Sequence, residues 1–112
     1  MKIYHNPRCS KSRETLKIIE DAGAEVEIIE YLKSIPTEQE LTDLLKLLGI
    51  PAAKLIRKGE PAFKENYKGK ELTEKEWIKA MVKFPKLIER PIVIKGNQAV
   101  LGRPPQNVEV FL

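Results

Sequence analysis

The segment His5-Asn6-Pro7-Arg8-Cys9-Ser10-Lys11-Ser12-Arg13 separates two stretches with different backbone periods, and it constrains the fold more than any other feature. Ile3 and Tyr4 before it read as a strand, whereas Leu16, Ile18 and Ile19 after it recur as a helix face. The segment must therefore hand a strand over to a helix, with Cys9 at the helix N-terminus. Unpaired backbone N–H groups and the positive end of the helix dipole favour a thiolate there, and the same N–H groups suit an oxyanion. Arg8 and Arg13 add positive charge nearby. Ser12, three residues after the sulfur, is placed to donate its hydroxyl back to it. The segment holds the only cysteine and the only histidine of the chain. His5 is expected to support the loop rather than act as a general base. A lone free cysteine is commonly buried filler, but no apolar residue other than Cys9 lies between Pro7 and Thr15. The neighbours therefore favour a reactive sulfur.

The rest of the pattern is α/β. Lys2–Tyr4 is a predicted strand, and Ser10–Ala22 a helix that buries Leu16, Ile18, Ile19 and Ala22 and is closed by Gly23. Glu25–Tyr31 follows as a strand, so the first thirty or so residues form a right-handed βαβ unit with parallel strands. Thr37-Glu38-Gln39-Glu40 is a capping box for a helix carrying Leu41, Leu44, Leu45 and Leu48 and stopped by Gly49. Pro51 opens a short helix through Ile56, and a weaker helix covers Ala62–Tyr67. Thr73-Glu74-Lys75-Glu76 is a second capping box, before a helix with Trp77, Ile78, Met81 and Val82 that ends ahead of Pro85. Pro91–Ile94 and Ala99–Leu101 form a hairpin about Gly96-Asn97. Arg103-Pro104-Pro105 opens a last helix, with Val108, Val110, Phe111 and Leu112 expected on the sheet. The order is βαβ-ααα-ββα, without repeats or linkers, in one domain spanning 1–112.

No apolar run is long enough for a bilayer and no basic-then-apolar leader is visible, so the expectation is a cytoplasmic protein. One cysteine and one histidine leave the chain without ligands for a conventional transition-metal site. Residues 1–56 carry 8 basic and 9 acidic side chains and residues 57–112 carry 12 and 7, a difference of +5 in the second half. Its lysines alternate with glutamates as on solvated helix faces, which argues against nucleic acid. Only five of the twenty basic residues are arginine. Of these, Arg57, Arg90 and Arg103 fall at element boundaries, where a planar bidentate donor can reach an anion. Arg90-Pro91 is also a candidate cis peptide.

HNPRCSKSR, Ile56-Arg57, Glu89-Arg90-Pro91-Ile92-Val93 and Gly102-Arg103-Pro104-Pro105 occur in one order along nearly the whole chain. In this the chain resembles the glutaredoxin-linked arsenate reductases, thioredoxin-fold proteins related to the Spx regulators. The resemblance implies a four-stranded mixed sheet flanked by helices with a helical insertion. It implies Cys9 as nucleophile, Arg57, Arg90 and Arg103 as the catalytic oxyanion site, His5 and Ser12 as tuners of the thiolate, and Pro91 as the cis proline. The implied reaction is arsenate to arsenite through a covalent Cys9 adduct, with glutathione as co-substrate, glutaredoxin as partner and no bound cofactor or metal; the lack of an obvious surplus apolar face leads to the expectation of a monomer. Spx regulators carry a second cysteine where this chain has Ser12, which disfavours a disulfide-switched, RNA polymerase-binding regulator. A glutathione-linked thiol oxidoreductase with another substrate is the other alternative. The chain stops soon after Arg103, as expected of a shorter branch of the family.

Overall fold

The β-branched and aromatic residues at the N-terminus form β1 (Lys2–His5), which runs through the Asn6–Cys9 turn into α1 (Ser10–Asp21). The structure, a computed structural model, describes every residue from Met1 to Leu112. Helix α1 ends as expected, with Gly23 at φ 73° and its N–H donating to Glu20 O at 2.9 Å. The return strand β2 (Glu27–Glu30) pairs parallel to β1 and is shorter than its sequence pattern suggests. After the helical insertion, β3 (Ile92–Lys95) and β4 (Gln98–Leu101) form the hairpin, in a register that leaves Gly96-Asn97 as a two-residue turn. The sheet order is β2-β1-β3-β4, with β3 antiparallel to both neighbours.

The chain divides into two compact units, residues 1–34 with 90–112 and residues 35–89. In the sheet unit, Ile3, Ile19, Val93, Val108 and Phe111 form one buried cluster, which packs α1 and the C-terminal segment against the sheet. Two expectations for this unit need correction. The buried stripe of α1 is Ser12, Thr15 and Ile19, with Leu16 and Ile18 half-buried and Ala22 exposed. Two polar residues occupy core positions because each satisfies its hydroxyl locally. The last element is a 3-10 helix, Pro105–Phe111, instead of an α-helix. Three residues per turn align Pro105, Val108 and Phe111 on the inner face, whereas Val110 is 73% exposed and Leu112 47% exposed.

In the insertion, both capping boxes form. Thr37 and Thr73 accept from the N–H groups of Glu40 and Glu76 at the starts of α2 (Glu38–Leu48) and α4 (Glu74–Lys83). The short α3 (Pro61–Asn66) buries no residue fully, but Phe63 and the following Tyr67 lie on Trp77 with ring centroids 6.2 and 6.0 Å away. An antiparallel bridge joins Ile56 to Ile88. No helix is long and apolar enough to cross a membrane.

The 3-10 register is testable by substitution. Phe111→Ala is expected to cost about 3–5 kcal/mol, whereas Val110→Ser should stay within about 0.5 kcal/mol, both read from urea unfolding. Equal losses at the two positions would contradict the observed face.

Candidate functional site

Sheet topology explains why distant parts of the sheet unit meet. Tyr4 pairs with Ile92, and Ile92 pairs with Leu101. Because β3 is antiparallel to both neighbours, its beginning lies beside the ends of β1 and β4. Cys9 after β1, Arg90 before β3 and Arg103 after β4 are thereby delivered to one end of the sheet.

The loop that carries the sulfur is built by its own polar groups. Asn6 O accepts from Cys9 N at 3.0 Å across a turn with Pro7 at its second position. The buried Asn6 side chain accepts from Arg8 N at 3.0 Å through Oδ1, and Asn6 N donates to Ser12 Oγ at 3.0 Å. Ser12 Oγ is also 2.6 Å from His5 Nδ1. The Ser12 hydroxyl is thus engaged by His5 and Asn6, and it is the backbone N–H of Ser12, not its side chain, that acts on the sulfur. Sequence reasoning gave Asn6 no role, although an asparagine before proline at a loop start is a turn signal. Arg13 Nη1 donates to Pro7 O at 3.0 Å, and the Arg8 side chain is exposed.

Cys9 is the N-cap residue of α1, 9% exposed, with extended φ −94° and ψ 123°. Its side chain makes no cap hydrogen bond, but the N–H groups of Ser12 and Lys11 favour the ionised sulfur. Arg103 Nη2 lies 3.6 Å from Sγ, while Arg103 Nε donates to Arg90 O at 2.7 Å. Burial pushes the Cys9 thiol up, but the Ser12 N–H, the Arg90 guanidinium by hydrogen bond and charge, and the Lys11 N–H together bring it below the ordinary value. For His5, burial is the leading influence and lowers its pKa; Arg13 adds to this, and Glu30 and Glu20 oppose it. The imidazole is therefore held neutral, as a hydrogen-bonding partner of Ser12.

Arg57 belongs to the insertion. The bridge beside it places Arg57 N on Leu87 O at 2.7 Å, and its guanidinium meets Glu89 Oε1 at 2.9 Å and Glu60 Oε1 at 3.4 Å. Sequence reasoning did not foresee these carboxylate partners. The Glu60 pair has the i,i+3 spacing that would have signalled it. Two peptide bonds are cis, the anticipated Arg90-Pro91 and also Arg103-Pro104, which nothing in the sequence reading singled out. No three His, Cys, Asp or Glu side chains are grouped to hold a metal ion.

A mixed four-stranded sheet with a cysteine at the N-terminus of its first helix defines a thioredoxin-like α/β protein. The ArsC family profile matches residues 4–111, and the chain belongs to that family. Its relatives include the uncharacterized protein YfgD of Escherichia coli (strain K12), 49% identical over 96% of this chain and 92% of that protein. The arsenate reductase of Haemophilus influenzae (strain ATCC 51907 / DSM 11121 / KW20 / Rd) is 43% identical over 95% of this chain and 93% of that protein. Among solved structures, the arsenate reductase from Vibrio cholerae matches with a TM-score of 0.93 at 43% identity, covering 100% of this chain and 98% of that one.

The lowered thiol has a pH signature. A group whose folded pKa lies below its unfolded value adds stability that is complete above the unfolded value and lost as pH falls through the folded one. The stability advantage of the native chain over Cys9→Ser, from urea unfolding, is therefore expected to grow as pH rises toward the ordinary thiol value of 9.0. An advantage that is flat or declines over that range would contradict a stabilised thiolate.

Proposed function

We propose that this protein reduces arsenate to arsenite, with Cys9 as the nucleophile. The observation that carries the reading is the convergence of the Arg90 and Arg103 guanidinium groups on the Cys9 sulfur at a helix N-terminus. The arsenate reductases among its full-length relatives support the same reading. Cys9 thiolate attacks arsenic(V), forming an S–As bond as one arsenate oxygen leaves as water. Arg90 and Arg103 neutralise the oxyanion before and during attack. Arg57, assigned by family resemblance, serves as a third oxyanion ligand and would exchange its carboxylate partners for the substrate. His5 and Ser12 hold the loop that presents the thiolate, and Arg8 adds positive charge at its mouth.

Reduction of arsenic(V) to arsenic(III) takes two electrons from two thiols that finish as a disulfide. This chain contributes one sulfur that is regenerated, so both thiols come from outside. We assign them to glutathione and then glutaredoxin, in a reducing cytoplasm, with the protein acting as a single-domain monomer. The guanidinium site and a covalent adduct suffice without a bound metal or redox cofactor.

Cys9→Ser is expected to abolish glutathione-dependent arsenate reduction while leaving the fold intact by circular dichroism; turnover persisting in that variant would overturn the mechanism. Arg90→Lys and Arg103→Lys should each lower kcat/KM by about a hundredfold, because an ammonium cannot reproduce two planar contacts. Arg57→Lys is expected to act in the same direction. The same preparation assayed with a glutathione mixed disulfide in place of arsenate distinguishes an oxidoreductase of different substrate.

A further inference from the structure

We infer that Gly102 is a positioning residue for the oxyanion site, and that its missing side chain sets how closely Arg103 approaches the Cys9 sulfur. The inference rests on the proposed site but concerns a residue outside the nucleophile and the arginines. A Cβ at Gly102 would fall 2.6 Å from Thr15 Oγ1, 2.7 Å from Pro91 Cγ and 3.2 Å from Thr15 Cγ2. Space, rather than unusual backbone conformation, requires glycine here, since Gly102 is not among the positive-φ glycines.

Neither neighbour can give way easily. Thr15 is fully buried, its hydroxyl donates to Lys11 O at 2.9 Å, and its branched side chain is stiff about χ1. Pro91 is a buried rigid ring whose own carbonyl accepts from Gly102 N at 2.8 Å. The chain end leaving β4 is therefore pinned by a hydrogen bond on one side and by van der Waals contact on the other.

The wall against which Gly102 rests belongs to the helix that presents the sulfur. Thr15 lies six residues beyond Cys9, about 9 Å along the axis of α1, so one rigid element fixes both Sγ and the seat of Gly102. The next residue, Arg103, spans from that seat to Arg90 O at 2.7 Å and to Sγ at 3.6 Å. Any side chain at 102 lifts the backbone off α1 and carries the Arg103 guanidinium away from both.

The test measures sulfate affinity by titration calorimetry and the Cys9 pKa from the pH profile of iodoacetamide alkylation. Both are read in native protein, Gly102→Ala, Arg103→Ala and the double variant, so neither readout depends on turnover. Gly102→Ala, folded by near-ultraviolet circular dichroism, is expected to weaken sulfate binding about tenfold, the scale of one charged hydrogen bond, and to raise the Cys9 pKa. Adding Gly102→Ala to Arg103→Ala should change neither quantity further, because Gly102 acts only through Arg103. A folded Gly102→Ala with native affinity and pKa would overturn the inference, as would losses that simply add in the double variant. If Gly102→Ala does not fold, Thr15→Ala replaces it, removing the wall instead of overfilling the contact; the same non-additivity with Arg103→Ala is expected, and additivity overturns the inference. An Arg103→Ala variant unchanged in both quantities would instead contradict the proposed site itself.

Discussion

Arg103 joins three parts of the sheet unit through one planar group. Its Nε is held on the Arg90 carbonyl and its Nη2 faces the Cys9 sulfur, so the guanidinium fixes the start of β3 relative to the start of α1. A lysine in its place is a point charge on a flexible stem and cannot hold two directions at once. The thiol is nearly buried, and burial alone would keep it neutral. Charged hydrogen bonds are worth about 1.5–3 kcal/mol each, so the several donors around Sγ are of the right size to outweigh that desolvation. The balance is local, set by groups whose positions the backbone dictates.

Topology makes that arrangement inexpensive. A parallel β1–β2 pair with a helical crossover puts a helix N-terminus at the end of β1, and an antiparallel β3 brings the beginning of one strand and the end of another to the same place. Three stretches far apart in sequence thus meet without any long loop. The polar interior of α1 serves the same end. Ser12 and Thr15 lie on the buried stripe of α1, and each ties helix to loop or to itself by hydrogen bonds. Ser12 thereby anchors the sulfur-bearing loop to α1, and the burial of His5 itself lowers the pKa of the imidazole.

Much of this was legible in the sequence. The βαβ unit, both capping boxes, the Gly96-Asn97 hairpin and the position of Cys9 follow from local rules, with element ends shifted by one or two residues. What escaped depended on contacts distant in sequence or on a period that simple patterns blur. Apolar residues at 108, 110, 111 and 112 satisfy no single helix face until the three-residue turn of the last segment is known. Hydrophobicity alone cannot rank Ser12 and Thr15 above Ala22 as buried positions, since the reason lies in their partners. The carboxylates around Arg57 include Glu89, thirty-two residues away, brought there by the Ile56–Ile88 bridge. The need for glycine at 102 arises from Thr15 and Pro91, which no local window contains.

The most direct measurement is an ultraviolet titration of the Cys9 thiolate in the native protein, without and then with saturating sulfate. The account predicts ionisation below the ordinary thiol value of 9.0, moving upward when the bound anion takes over the guanidinium charge. Ionisation at or above that value, indifferent to sulfate, would contradict it.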